Sequence, residues 1–558
     1  MINGISDQIE VILEKNYPSH ARRKIDIPDI SLFAVFQESV RQFGDRIAVS
    51  FENYNLTYTK LNEEVQRVSS GLSEMGFKKK DRFAVIMPNM PQYIILLLAA
   101  TKLGVEVVDI NPLYTFDEIR GIVESTRSKV MFVFTDFLTK MVNLFPIHIE
   151  KLVVVRHWDD VRSPFNSFPL LKGLLGRDYL PKDSNIRFFD DLGINLKPVE
   201  DVPIDPKEDV AFVQFTGGTT GKPKGVLISH YNMVSQLYVM DNWARNLDKT
   251  DIEFISAVPF YHVFGITICI FLPLFIGSKI SVIMNPGDME GIKRCIEKGK
   301  NVVFPVIPLI VYGLCASNSG KKVNHSGSLI VISGAAPLSN IIVNNFWEIF
   351  GIEIIEAYGL TEASPTVSMN PLVPGMNKIG SVGMPLPNTH VKIVDTKKGM
   401  VEVPLGERGE IIVKGPQGVE KYLDEVAKNI TIKNGWLYTG DIGKFDKDGY
   451  LYLLDRKKDM INVSGYSVYS SEVEDIIRTN PAVSECAIIG APDDETGEAV
   501  MAFILLKQGK TLTELEIKEF CMKRMAPYKV PTRVNFADYL PRNALGKVMK
   551  KDLRELVK

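Results

Sequence analysis

Cysteine is scarce in this 558-residue chain: Cys269, Cys295, Cys315, Cys486 and Cys521 are scattered and odd in number. None forms a Cys-x-x-Cys pair, which argues against zinc and dithiol redox centres and fits reduced thiols in a cytosolic protein. Excess charge of either sign is also missing. The 65 Lys and Arg against 67 Asp and Glu leave a formal net charge of −2, so no global field points to nucleic acid or an anionic membrane. The opening stretch "MINGISDQIEVILEKNYPSH" has neither a basic start nor a long apolar run, and no secretory leader is expected. Apolar runs of bilayer length are lacking too. The greasiest, "ITICIFLPLFIGSK" from Ile266, has about a dozen apolar residues where roughly twenty would be needed, and reads as a buried core element.

What is present is an ordinary globular balance, 45% hydrophobic and 24% charged, on a chain too long for one core. Strand-like runs alternate with amphipathic ones: "DRFAVIMP", then "MPQYIILLLAATKLG", "VEVVDIN", "TFDEIRGIVEST" and "KVMFVFT". This βαβα order, resumed at "GVLISH", "KISVIM", "NVVFPV" and "SLIVISG", predicts layered α/β subdomains with parallel strands. From "HVKIVD" through "GWLYTGDIGKFDKDGYLYLLDR", short strands joined by Gly and Asp turns predict a β-rich subdomain. After Arg456 a small α+β unit follows, and "DRKKD" marks the boundary, giving a large domain over 1–455 and a small one over 456–558. The Pro-broken, apolar and basic stretch 162–182 reads either as a packed surface insertion or as a weak peripheral membrane contact.

The stretch "TGGTTGKPKG", 216–225, follows the strand-like "DVAFVQF". Its glycines free backbone N–H groups to converge on an anion, its threonines add donors and its lysines add charge. It is not the common GxxxxGK[ST] nucleotide loop: Gly217 and Gly221 are one residue too close, and Pro223 follows Lys222 where a metal-binding hydroxyl would stand. Pro223 also argues against an immediately following helix. The loop is either a phosphate cradle of another kind or a flexible turn.

Further glycine-rich motifs follow: "PFYHVFG" (259–265), "SGAAPL" (333–338), "EAYGLTEAS" (356–364), "GERGEIIVKGP" (406–416), "YTGDIG" (438–443), "DRKKDMINVSGYSVYSSEVE" (455–474) and "LPRNALGKVMKKDLREL" (540–556). In this order and spacing, over nearly the whole chain from about residue 30, they resemble the adenylate-forming superfamily of acyl-CoA synthetases, luciferases and peptide-synthetase adenylation domains. The stretches "NMPQY", "INPLYT", "SMNP", "IKNGWLYTGDI" and "LDRKKDMINVSGYSVY" are similar to those of long-chain fatty acid–CoA ligases.

The resemblance implies ATP-dependent activation of a carboxylic acid to an acyl-adenylate, then transfer to coenzyme A, with ATP, Mg2+ and coenzyme A as cofactor and substrates. It also implies a small mobile C-terminal domain that rotates between the two half-reactions, in a monomer or homodimer. By the same resemblance, Thr216, Gly217, Gly218, Thr219, Thr220 and Gly221 are expected to hold the β- and γ-phosphates, with Lys224 as counter-charge. Glu362, with Thr216, is expected to hold the metal. Gly334, Ala335, Ala336, Glu356, Ala357, Tyr358, Gly359 and Thr361 are expected to surround the nucleotide, Asp441 to take the ribose hydroxyls and Arg456 to add a donor. Lys547 is the expected catalytic lysine, bridging the substrate carboxylate and the α-phosphate. Lys458 matches the hinge position, and Gly465 with Tyr466 would face the pantetheine arm. On residue type alone, Tyr358 also fits a buried structural tyrosine and Lys547 an exposed lysine.

The acid is less defined. Peptide-synthetase adenylation domains carry an aspartate where "FYHVFG" offers Tyr261, His262 and Phe264, so an amino acid is not expected; His262 would shape the pocket near the carboxylate. The following "ITICIFLPLF" reads either as the wall of an acyl tunnel or as core. Three departures from the family pattern stand out: Lys421 and Val426 in "EKYLDEVAKN" replace Gly and Pro, Asn462 replaces a lysine of some relatives, and Ile266 lies near the place of a tunnel tryptophan. The expected substrate is a long- or medium-chain fatty acid. The alternatives are an aromatic or short-chain acid, or transfer to a carrier protein.

Overall fold

The computed structural model describes residues 5–157, 185–216, 224–318, 321–325, 327–464, 466–493, 495–543 and 546–557. Stretch 162–182 and loop residues Gly217, Gly218, Thr219, Thr220 and Gly221, together with Gly465, lie outside the described residues.

The α/β alternation builds two large sheets. The helix Pro91–Leu103 begins with proline in its first turn, where the missing N–H leaves no bond unmade, and ends at Gly104 with φ +66°. All 13 of its residues are buried, so it sits between layers rather than on the surface. The helix Phe116–Thr126 starts from a capping box of Thr115 and Glu118.

The eight-stranded sheet runs Lys421–Tyr422, Lys224–Ser229, Val210–Thr216, Glu106–Asp109, Arg82–Ile86, Val130–Phe134, Lys151–Val155, Ile186–Phe188. From Val210–Thr216 to Ile186–Phe188 the pairs are parallel; Lys224–Ser229 folds back antiparallel on Val210–Thr216. The nine-stranded sheet has a parallel centre, including Ile252–Ser256, Asn301–Val306, Ser328–Ser333 and Ile354–Gly359, with antiparallel strands at both edges. One continuous apolar cluster joins the two sheets, and a second covers the other face of the eight-stranded one. Phe83 and Val85 belong to the first, Ala84 and Ile86 to the second, as the alternation of a strand requires.

The β-rich subdomain is an antiparallel sheet of His390–Val394, Gly409–Lys414, Trp436–Phe445 and Ile432–Lys433, with Leu451–Arg456 paired to Trp436–Phe445. The C-terminal unit has its own sheet, Tyr466–Val468, Ile461–Val463, Gly497–Leu506, Val483–Asp493, with Arg533–Phe536 alongside, and a separate apolar cluster on each face. The greasy segment is a buried helix whose first part, Gly265–Phe271, is wound as a π-helix, a form enriched at functional sites. Among the described residues no helix is long and apolar enough to cross a membrane.

Candidate active site

Parallel strands deliver the loops after their carboxyl ends to one edge of a sheet, where ligands of α/β proteins bind. Four motifs meet there. Gly334 ends its strand with its N–H on the Val306 carbonyl, 3.1 Å. A Cβ on it would stand 3.5 Å from the Phe264 ring and 3.8 Å from the Ala357 carbonyl, so "SGAAPL", "FYHVFG" and "EAYGL" pack together. Ala335 is exposed and held at φ +72°, a conformation that costs a side-chain residue about 1–3 kcal/mol and concentrates at functional sites. Ala336 is half-buried beside it. The Ser333 hydroxyl is buried with no partner among the described residues. Gly359 is required by close approach: a Cβ there would be 2.2 Å from the Pro365 carbonyl oxygen.

Asp441 is the hub of the polar side. It is 6% exposed on the strand Trp436–Phe445 and lies across the hairpin from Arg456. The Tyr358 hydroxyl donates to its Oδ2 at 2.7 Å, and the Arg456 Nε lies 2.6 Å from Oδ1. The Asp441 N–H is taken by Thr439 Oγ1 at 3.0 Å, and that hydroxyl donates to the Ile411 carbonyl at 2.8 Å. Burial, then the neighbouring Asp441, pushes the Tyr358 phenol well above its usual range, while Asp441 keeps the Arg456 guanidinium charged.

Glu362 sits with buried Thr361 in the short turn Thr361–Ala363, its carbonyl accepting from Val419 N–H at 2.9 Å. Burial raises its carboxyl, and the Arg456 and Lys224 cations facing it pull the other way. Thr216 and Lys224 stand opposite each other in the antiparallel pair. The strands on either side of the glycine-rich loop therefore pair as a hairpin, and a strand rather than a helix begins at Lys224, in line with Pro223. Glu356 accepts from Gly380 N–H at 3.1 Å, and burial pushes its carboxyl up to about 7.

The acid motif is clamped from behind by buried Asn89. Its amide donates to the Val258 carbonyl at 2.9 Å, and its oxygen accepts from Phe260 N–H at 2.7 Å. His262 accepts from Phe264 N–H through Nδ1 at 3.3 Å, which leaves the proton on Nε2. Burial pulls this imidazole down to about 4, so it is neutral at pH 7 and can shape or donate but not supply charge. An apolar cleft lies between the π-helical segment and the nine-stranded sheet. It is lined by Met240, Phe254, Ile268, Leu272, Ile276 and Ile332, and the Asp241–Lys249 ion pair stands at its rim.

The C-terminal unit reaches this site through one loop. The Asn543 N–H donates to the Lys547 carbonyl at 2.9 Å, and Asn543 Oδ1 accepts from Lys547 N–H at 2.9 Å. Between them Gly546 takes φ +78°, and a Cβ on it would lie 3.0 Å from the Leu309 Cβ of helix Pro308–Ser317. Burial and the Arg456 cation push the Lys547 amine down to about 8, while Asp441 and Asp459 pull it up. Lys547 thus faces Arg456 and Asp441, the same two groups that Glu362 faces.

Lys458 is exposed in the turn Lys457–Asp459, between neighbours tied in opposite directions. Lys457 pairs with Glu410 of the β-rich subdomain at 2.7 Å, and Asp459 with Arg554 of the C-terminal unit at 2.7 Å. Tyr466 is brought to none of these: it is 59% exposed and stacked on Tyr528 at 4.7 Å. Sequence reasoning missed Thr439, Asn89, Glu410, Arg554 and Leu309. Thr439, Asn89, Glu410 and Arg554 lie inside quoted motifs, but the partners of Glu410 and Arg554, like Leu309, are reached across gaps that leave no local signal.

Residues 36–423 match the model of the AMP-binding enzyme family and 472–547 that of the AMP-binding enzyme C-terminal domain, so the chain belongs to the AMP-binding enzyme family. It is similar to long-chain-fatty-acid–CoA ligases: 32% identical over 544 residues to that of Bacillus subtilis (strain 168), covering 97% of each chain. It is 33% identical over 552 residues to that of Escherichia coli O6:H1 (strain CFT073), again covering 97% of each. Among solved structures, ATP-bound MatB from Rhodopseudomonas palustris superposes with TM-score 0.81 at 25% identity, over 94% of this chain and 99% of that one.

Proposed function

We propose that this chain is an AMP-forming fatty acid–CoA ligase. The acid's carboxylate oxygen attacks the α-phosphorus of ATP and pyrophosphate leaves; the thiol of coenzyme A then attacks the acyl carbonyl and AMP leaves, the thiol proton passing to solvent. The observation that carries this reading is the convergence of Lys547 with Asp441, Arg456, Glu362 and Lys224, which belong to different elements and one polar site.

Each group suits its role. Asp441 retains free lone pairs beside Tyr358 and Arg456 for the ribose hydroxyls. Gly334, Ala335 and Ala336, with Glu356, Ala357 and Tyr358, form a wall of small groups and one ring against the base, and the orphaned Ser333 hydroxyl is open to a ligand partner. Thr216 and Lys224 flank the phosphate loop at its start and end. No cluster of three or more His, Cys, Asp or Glu forms a metal cage among the described residues. That fits Mg2+, which takes one or two carboxylates and completes its shell with phosphate oxygens and water. Glu362 and Thr216 would hold it; bound there, it neutralises phosphate charge. Lys547 stabilises the charge that develops between the two anions.

The apolar cleft supports a fatty acyl chain. The residues lining it on the helix, Ile268, Leu272 and Ile276, recur every four positions after Phe264, a stripe extending roughly 15–18 Å from the acid motif. Residues 1–455 and 456–558 form the fixed and the moving domain, with Lys458 as hinge: its neighbours are anchored to opposite units, so the backbone change falls on it. Turning the C-terminal unit about Lys458 withdraws Lys547 and brings Gly465 and exposed Tyr466 towards coenzyme A.

The test is AMP and pyrophosphate formation with acids from acetate to stearate, with and without coenzyme A, by wild type and Lys547→Ala. Turnover peaking at medium or long chains and lost in the variant is expected. A peak at benzoate-like or short acids, or dependence on a carrier protein in place of coenzyme A, would replace the fatty acid reading.

A further inference from the structure

The carboxyl of Asp109 has no place in the chemistry above, yet it joins the two halves of the substrate site. It ends the strand Glu106–Asp109 and is 3% exposed. Gln214 Nε2 donates to its Oδ2 at 2.7 Å, and the Tyr93 hydroxyl bonds its Oδ1. Gln214 lies two residues before Thr216, at the root of the phosphate hairpin. Tyr93 lies in the first turn of helix Pro91–Leu103, and its ring packs edge-on against Phe260, centroids 5.9 Å apart, two residues before His262. One buried carboxyl thus ties the strand that carries the phosphate loop to the loop that carries the acid motif.

We infer that Asp109 is a positioning residue for adenylation, setting the phosphate hairpin against the acid motif through Gln214 and Tyr93, and that it does so as the neutral acid. This rests on the ligase reading. The titratable groups facing it are Tyr93 and, behind Tyr93, Tyr261, which in turn faces Tyr114. With phenols and an amide around it, an ionised Asp109 finds no compensating cation in this set. Burial accordingly pushes its carboxyl up to about 8, against the pull of the Tyr93 and Gln214 hydrogen bonds. Tyr93 donates to Oδ1 as the pair stands; a proton on Oδ1 of the neutral acid reverses that bond, and an asparagine side chain then offers the same shape, with one acceptor for Gln214 and one donor for Tyr93.

The experiment compares wild type, Asp109→Asn and Asp109→Ala in the acid-dependent formation of AMP, reading kcat and KM for ATP and for the acid between pH 7 and 9.5. Alanine removes both ties, and kcat/KM for both substrates is expected to fall about tenfold to a hundredfold, the scale of an ångström-sized misplacement. Asparagine is expected to restore most of that loss. The ratio of Asp109→Asn to wild type is expected to rise at least about threefold from pH 7 to 9, because only the wild type ionises at this position. Any alkaline loss from Lys547 is common to both proteins and cancels in the ratio. A flat ratio, or asparagine no better than alanine, would overturn the inference. Wild type without turnover on any acid would instead sink the ligase reading and this inference with it, and is told apart by that control alone.

Discussion

The nucleotide side of the site and the Lys547 side are held in unlike ways. Asp441, Tyr358, Arg456 and Thr439 are knit by hydrogen bonds of 2.6–3.0 Å across a buried sheet edge. Lys547 is tied to Asn543 by two hydrogen bonds, but its segment meets the large domain where Gly546 faces Leu309, itself 50% exposed. Around it the two units are joined by partly exposed pairs such as Arg408–Glu472 at 3.2 Å and by Ser471, whose N–H and hydroxyl reach Asp455 and the Leu454 carbonyl. Exposed pairs are each worth about 0–1 kcal/mol, so the second half can leave without dismantling the first. On the function proposed above, a site built this way would bind with one half and react with the other.

Removing the mobile half is the strongest way to break that contrast. Lys547→Ala is expected to lower the rate of adenylate formation about 10²–10³-fold, the usual cost of one preorganised charge contact, with ATP affinity within about threefold of wild type. Rapid-quench adenylation beside equilibrium ATP binding checks it; comparable losses in both would mean that Lys547 belongs to the fixed half. The pH dependence sharpens the point. With its amine at about 8 in the free enzyme, Lys547 is charged below that pH and neutral above it, so kcat/KM should fall as pH rises through about 8. In the ternary complex the bound anions hold the proton, and kcat should stay level to higher pH.

The fixed half should fail differently. Asp441→Ala leaves Arg456 and the Tyr358 hydroxyl without their shared acceptor and removes the proposed ribose ligand. It is expected to weaken AMP binding by about 2–3 kcal/mol, some 30- to 150-fold, by calorimetry. Its melting temperature should also fall, whereas that of Lys547→Ala should not. An Asp441→Ala protein that binds AMP normally would remove the nucleotide from this position.

These two halves were unequally legible in the sequence. The motif residues could be placed because the chemistry demands particular types in a fixed order, and hairpin pairing then sets Asp441 across from Arg456: the turn at 446–449 leaves few registers. The layered fold followed from the alternation of strand and helix periods. Contacts across long gaps left no such trace. Gly546 on Leu309, Arg554 on Asp459 and Asp109 between Tyr93 and Gln214 join residues whose separations carry no periodicity. The greasy segment after Gly265 had the composition of core and of tunnel wall alike, and in the structure it is both buried and beside a cleft.

That cleft belongs to the fixed half and predicts an effect on selectivity rather than on rate. Ile268→Trp adds bulk one helical turn beyond Phe264, and should shift the preferred acid to shorter chains, changing the palmitate-to-octanoate ratio of kcat/KM about tenfold. Competition between the two acids reads the ratio directly. An unaltered ratio would send the acyl chain elsewhere and return Ile268 to the core.

The smallest effect concerns the seam between the halves. Arg408 of the large domain reaches Glu472 at 3.2 Å and stacks over the Tyr469 ring at 4.9 Å, both on the C-terminal unit. It therefore favours the arrangement in which Lys547 faces Asp441 and Arg456. Arg408→Ala should withdraw about 0.5–1 kcal/mol from that arrangement, since the pair is partly exposed. Adenylation in a single turnover is then expected to slow about two- to fivefold, while thioester formation from preformed acyl-adenylate keeps its rate or gains. Salt should mimic the variant, because screening weakens the same contact. Equal slowing of both half-reactions would show that Arg408 supports the fold of the C-terminal unit and not its placement.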